Sequence, residues 1–436
     1  MKSRIFSLGL LILLLSSTFL SAQMMDPFNK ENNNHFDGGL GMAWIDGKSY
    51  TTITLTPEFA FGKFGMGLNI ELLFNNTEGF KFRKTGWDKG AGALRMIRYI
   101  RWGHKNDPFY TRVGTLDAAI LGHGFIMGYY TNEANYDYRK IGLALDVDFK
   151  NYGFETVTSN LGNLEIAGGR MFVRPLHFTE IPILKNFEMG ATYVGDFNPD
   201  NRKATHDGVY EWGVDIGLPV IKSSIFNTTI YADYAKINNH GDGKTIGILA
   251  YVPNIIGLFG IYAKLEKRFL NPHFLPDYFN SLYELERNPL PANHYGVLDP
   301  RASVLTKEDY LSYVGKTEGI FGELSGQILG KIRLVGNYQH NTGLDKSGIL
   351  HLEARSDALV PSVQLKYTYD KVGIEKMKDV FTLDYRSVAQ AMIGYRTYKY
   401  ILISMVYRWN FIYDEETHQY KPQERIMPQV SFSMPF

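Results

Sequence analysis

The carboxy-terminal stretch Gln429-Val430-Ser431-Phe432-Ser433-Met434-Pro435-Phe436 decides the fold. Val430, Phe432, Met434 and Phe436 alternate with Gln429, Ser431, Ser433 and Pro435. A period of two puts the apolar side chains on one face of a strand and the polar ones on the other. A soluble edge strand shares this pattern. The aromatic last residue, with no polar tail behind it, separates the two readings.

Working outward, the same alternation recurs. In Tyr398 to Phe411, the residues Ile401, Ile403, Met405, Tyr407, Trp409 and Phe411 face one way, and Ser404, Arg408 and Asn410 the other. Ile141, Leu143, Leu145, Val147 and Phe149 alternate with Gly142, Ala144, Asp146 and Asp148, and Phe259, Ile261, Ala263 and Leu265 oppose Tyr262, Lys264 and Glu266. One face suits lipid and the other a wet interior. The 29 Tyr, 28 Phe and 43 Gly fit many strands joined by tight turns and bordered by aromatic belts.

With Phe436 at its end, this pattern resembles the Gram-negative outer-membrane β-barrels, whose assembly machinery reads a terminal aromatic and an alternating apolar face. The resemblance implies an all-β fold: a transmembrane antiparallel up-and-down β-barrel, surrounded by outer-membrane lipid and delivered to the barrel-assembly machinery through Gln429 to Phe436. The physical chemistry agrees. The longest apolar run after the amino-terminal region, Ile255 to Ala263, falls far short of the roughly 20 residues a membrane helix needs. Only a closed barrel then satisfies the backbone inside a bilayer.

The amino terminus points to export. Lys2 and Arg4 precede the apolar Ile5 to Leu15 and the small or apolar Ser16 to Ala22, which reads as a signal peptide over 1–22. Residues 23–34 form a short polar periplasmic leader, too short for a folded plug domain. The chain has no Cys, which removes disulfides, thiolate metal sites and cysteine nucleophiles. Forty-six Lys and Arg balance 45 Asp and Glu, so there is no global basic field for nucleic acid.

Residues 35–436 read as a single barrel of about 20 strands, with roughly 16 to 22 allowed by the weaker segments. The segment Gly92 to Gly103 carries Arg95, Arg98 and Arg101 at a helical spacing, yet the compact turn at His104 to Pro108 favours a strand and hairpin. Long outer loops are expected near 76–90, 118–137, 198–208, 268–316 and 412–425, and Pro175 to Asn186 is the one long connection at the inner end. The Gly122-His123-Gly124 run reads as a loop folded into or over the barrel rather than a metal or nucleotide site, since no second ligand stands at a defined spacing. The stretches Arg95 to Asn132 and Phe274 to Arg287 both look motif-bearing. The connection 268–316 is too long to be idle and reads as a constricting loop or a surface lid.

The alternation turns Arg112, Arg170, Arg174, Arg333, Arg355, Lys366, Arg386 and Arg408 inward, together with Asp146, Asp148, Asp215, Glu266, Glu323, Glu353 and Asp384. Opposed charges across a water-filled pore set up a transverse field, and planar guanidinium groups suit carboxylates and phosphates. Ion pairs between neighbouring strands are equally a way to fill and stiffen a barrel. The leading expectation is a porin-like channel for passive passage of small polar or anionic solutes. The alternative is a structural or accessory barrel that docks partners through its outer loops. No Gly-x-Ser-x-Gly elbow, His-Glu-x-x-His or phosphate loop is present, so no enzyme, metal or cofactor is expected, although His123, His177, His206, His273, His294 and His351 are available.

Overall fold

The computed structural model describes residues 35–45, 48–84, 87, 96–105, 107–116, 118–133, 140–199, 208–255, 257–299, 301–357, 362–414 and 419–435. The signal peptide and leader, the Asp46-Gly47 turn, Arg95, His206 and Phe436 lie outside them.

Twenty antiparallel strands close into a barrel. The first strand, His35–Ile45, pairs with the next, Lys48–Phe61, and with the last, Gln419–Pro435, from His35 opposite Pro435 to Ile45 opposite Arg425. That pairing leaves no edge, so every strand shares its backbone hydrogen bonds with two neighbours. The third strand is interrupted at Asn69, as Phe64–Leu68 and Ile70–Asn75. Among the described residues no helix is long and apolar enough to cross a membrane, and the crossing is made by strands.

Each segment read as a strand from the sequence contains one, and the described part of Gly92 to Gly103 holds Ile97–Trp102, which pairs with Phe109–Gly114. Side chains on the outward face are exposed apolar groups: Leu40, Trp44, Leu265, Ile403, Val430 and Phe432. Their inward neighbours, such as Glu266 and Ser404, are buried. This is the lipid-out, polar-in alternation of a membrane barrel.

Three expectations shift. Residues read as a loop over 412–425 are mostly hairpin, because Ile401–Asp414 pairs with Gln419–Pro435 out to Asp414 opposite Gln419. Arg268 belongs to the strand Phe259–Leu270, so the long loop begins at 271. The strand expected from Val380 starts at Ser387, after a 3-10 turn at Met377–Phe381, which leaves Asp384 and Arg386 in a loop.

Strand direction alternates, so the connections fall at two ends. The end shared with His35 and Pro435 has short turns, except for 174–187, which carries the small helix Pro182–Lys185. The far end carries the long connections 115–141 and 271–316. Both fold into the lumen and against each other. Met127 bridges Phe279, Phe279 N–H donates to Ile126 O (3.2 Å), and Asp277 N–H donates to Phe125 O (2.9 Å). Phe125, Met127, Tyr130, Phe274 and Phe279 pack onto inward wall residues including Val157, Val194 and Ala235. One half of the lumen is thus packed like a soluble core. Elsewhere, Ala43, Ile45, Tyr50, Leu73, Val406 and Met427 form a smaller apolar patch.

Candidate functional site in the lumen

The inward charges divide into two groups. In the packed half they are buried or half-buried, and matched. Arg170 has no exposed side-chain surface. Its Nε and Nη2 donate to Asp215 (2.8 and 2.5 Å), Nη2 also to Glu188 (2.8 Å), and Nη1 to Glu155 (3.2 Å). Gly190 makes room for this: a Cβ there would lie 2.4 Å from Asp215 Oδ2 and 2.5 Å from Arg170 Nε. Arg174 forks onto Asp148 (2.8 and 3.0 Å) and reaches Glu188 (2.8 Å). Asp146 accepts from Lys105 (2.6 Å), and Arg112 donates to Thr115 O (2.9 Å) while lying over Tyr99. For these residues the geometry is that of filling and stiffening. A buried pair is costly to break from one side, because the remaining charge is stranded.

The same logic ties the loops to the wall. Arg268 bonds Glu266 (2.7 Å) on its own strand, Asp277 (3.0 Å) of the long loop and Gln339 (2.5 Å) across the lumen face. Arg287 of the long loop donates to Glu165 (2.7 Å), Asp196 (2.8 Å) and Asn198 O (2.5 Å). Lys140 bridges Glu165 and Glu284, the latter at 2.6 Å, and Tyr130 donates to Glu284. Burial pushes the Glu284 carboxyl up, but Lys140 and Arg287 overcome it and hold it at about 2.

Gly122-His123-Gly124 is a tether. Both glycines take positive φ (57° and 85°), which turns the chain so that His123 Nδ1 meets Asp233 (2.7 Å) and its ring stacks on Tyr231 at 4.0 Å. Lys264 Nζ donates to His123 O at 2.5 Å. Burial alone would lower the His123 pKa, yet the Asp233 carboxylate beside it raises it above the usual value. His123, Asp215 and Asp233 bring ligand-type atoms within 4.8 Å of one another. Arg170 already engages both Asp215 oxygens, so the set fits an ion-pair cluster better than a cation's coordination sphere.

The other half is wet. Arg333 stands directly opposite Arg355, and Arg355 directly opposite Lys366, on the adjacent strands Ile332–Thr342, Gly348–Asp357 and Val363–Ile374. Arg355 and Lys366 are exposed to the lumen. Arg333 donates to Glu353 (3.2 Å), and Arg408, half-buried, faces Arg425 on the next strand. Like charges directly opposite each other destabilise a sheet unless something else compensates. Above this ladder, Tyr129 at the tip of the inward loop reaches His351 (5.2 Å between rings), which bonds Asp370 (2.8 Å). Tyr129 and the buried Glu323 line a cleft at the tip of that loop. Asp384 and Arg386, read as strand residues, instead form a forked pair in their loop (2.8 and 3.1 Å), joined by Lys371 (2.8 Å).

The sequence reading therefore gathers Arg333, Arg355, Lys366, Glu353 and Arg408 on one wall and sends Arg112, Arg170, Arg174, Asp146 and Asp148 to the packed side. It missed Lys140, Glu165, Asp196, Glu284 and Arg287. Their one sequence signal is charge set inside the apolar and aromatic run around Tyr283 to Arg287, which a solvated loop does not need. The long loop, a candidate for displaying residues to partners, hides them: Phe274, Phe279, Leu285 and Arg287 are at most 1% exposed.

No known family model matches the sequence, and a search of curated proteins finds no match. Among solved structures, the chain is similar to OccK2 (OpdF) from Pseudomonas aeruginosa in complex with glucuronate, with 9% identity over 94% of this chain and 98% of that one and a TM-score of 0.34. It is also similar to the siderophore receptor PirA from Acinetobacter baumannii, with 9% identity, 93% and 81% coverage and a TM-score of 0.35. For CdiB from Acinetobacter baumannii the identity is 8% and the TM-score 0.28, and the chain spans 60% of that protein's length. The fold itself is a closed antiparallel β-barrel of 20 strands.

Proposed function

We propose that this barrel sits in the outer membrane as a porin-like passive channel for small anionic solutes, with a path along the wet wall and a constriction made by the two inward loops. The observation that carries the reading is the Arg333, Arg355 and Lys366 ladder. Three cations set opposite one another on neighbouring strands, two of them exposed to the lumen, give that wall a concentration of positive charge that favours a passing anion. The buried ion pairs of the packed half hold the constriction in place. No catalytic step is part of this reading, and the closing stretch Gln429 to Phe436 is taken as the signal for barrel assembly.

Single-channel recording in a planar bilayer under a salt gradient tests the proposal. The reversal potential should report anion selectivity, and Arg355→Gln with Lys366→Gln should move it toward zero or toward cations while leaving the barrel folded. A correctly folded barrel that carries no current, or selectivity indifferent to both substitutions, would overturn it.

A further inference from the structure

A second cavity lies at the opposite end of the barrel from the basic ladder, between the long loop and the far ends of the wall strands. Counted together with the solvent at its mouth, the open space is about 530 Å³. The loop contributes Asn280, Glu286, His294 and Lys307, and the wall contributes Gln339 and Asn341. All six are at least nine-tenths buried. The partly exposed Leu344 and Lys346 complete the lining, so the cavity reaches solvent.

Empty cavities in proteins are apolar, and one lined by buried polar groups calls for something to bond. Two atoms here, His294 Nδ1 and Asn341 Oδ1, have no hydrogen-bond partner among the described residues. Asn341 Oδ1 lies against Gly319, its partner across the ladder, where a Cβ would come within 2.3 Å of it.

The buried charges are paired. Glu286 accepts from Lys307 (2.5 Å) and lies 3.4 Å from His294 Nε2. Burial pushes its carboxyl up, and Lys307 and His294 hold it down at about 2, so in neutral water it is an ionised acceptor with its counter-charge in place. A carboxylate or phosphate would be repelled by Glu286, and an ammonium by Lys307. Donors and acceptors thus interleave around the void, with the Glu286–Lys307 pair inside it and Lys346 at its rim. Beside them, Tyr295 and Tyr310 stack at 4.6 Å and 16° and present flat apolar ring surface next to hydrogen-bonding edges.

We propose that this cleft binds an uncharged polyhydroxy solute of about monosaccharide size, whose hydroxyls match the interleaved donors and acceptors and whose C–H face meets the tyrosines. The site is independent of the basic ladder and of the channel reading built on it.

Calorimetric titration of the refolded full chain in detergent tests this, with D-glucose, D-galactose and myo-inositol as uncharged probes and acetate and inorganic phosphate as charged ones. At least one uncharged probe should bind saturably. Asn341→Leu and His294→Phe should each weaken that binding about tenfold or more, the effect of losing a hydrogen bond in a closed site. Arg355→Gln, at the other end of the lumen, should leave it unchanged while altering ion selectivity. If Asn341→Leu does not fold, His294→Phe, which changes no strand residue, decides alone. No saturable heat from any uncharged probe, tighter binding of acetate or phosphate, or full affinity in the folded variants would overturn the proposal.

Discussion

Arg287→Met removes the cation that locks the long loop to the wall while keeping most of the side chain's bulk. Arg287 is 1% exposed and contacts Glu165, Asp196 and Asn198 O. After the change Lys140 still serves Glu165 and Glu284, but Asp196 keeps only neutral donors, the Tyr283 hydroxyl (3.0 Å) and the Asn198 N–H (3.1 Å), among the described residues. Breaking a buried pair from one side costs about 3–5 kcal/mol. The strand ladder of the barrel does not depend on this contact, so the cost falls on docking of the loop. At 1.36 kcal/mol per tenfold, the ratio of undocked to docked loop should rise about 150- to 5,000-fold. Limited proteolysis across 271–316 should accelerate, and single-channel current should become larger and noisier. Unchanged proteolysis and current, with a lower unfolding temperature of the whole barrel, would show that the loop and wall are one cooperative unit and refute the reasoning.

Acid should act on the same lock. Glu284 and Glu286 are held at about 2, below the ordinary carboxylate value near 4.5, so their contribution is complete above about pH 4.5 and is lost as the pH falls through about 2. Protease protection of the long loop should therefore be intact at pH 6 and decline between pH 4 and 2. His123 has the opposite sign. Its pKa is raised, so its tether is complete below about 6.5 and weakens as the pH climbs through the raised value. Amide exchange over Leu121 to Phe125, normalised to free-peptide rates, should speed up on the alkaline side, and His123→Ala should abolish that pH dependence. If the variant keeps the same profile, His123 is not the titrating group.

Strand number and closure were legible because lipid imposes a single rule on every outward side chain, and it repeats in Ile141 to Phe149, Phe259 to Leu265 and Ile401 to Phe411 alike. The errors fall where that rule stops. Val380 to Arg386 lies above the membrane belt, where apolar and polar residues no longer sort by face, so a 3-10 turn and the Asp384–Arg386 pair passed for strand. Residues 412–425 looked like a loop because the strand there carries polar groups on both faces, Gln423 and Arg425 buried and Lys421 and Glu424 exposed. The two motif-bearing stretches were visible as unusual, but not that they meet. Met127 and Phe279 are joined only through the closure of the barrel, and no local spacing encodes a contact between loops that distant.

That closure also explains why the inward charges could not be sorted into function and structure from alternation alone. Facing inward is a property of the strand, and being wet is a property of what else occupies the lumen. Arg170 and Arg355 are equivalent by alternation. Arg170 is covered because the Gly122 to Phe125 turn sits above it: a Cβ on Gly122 would lie 3.1 Å from its guanidinium stem. Arg355 has no such cover and stays exposed beside Lys366. Substitutions on the covered side should therefore change how firmly the loops dock, and substitutions on the uncovered side should change which ions pass. A double substitution, one from each side, should be additive, since Arg170 and Arg355 sit on strands that do not pair with each other.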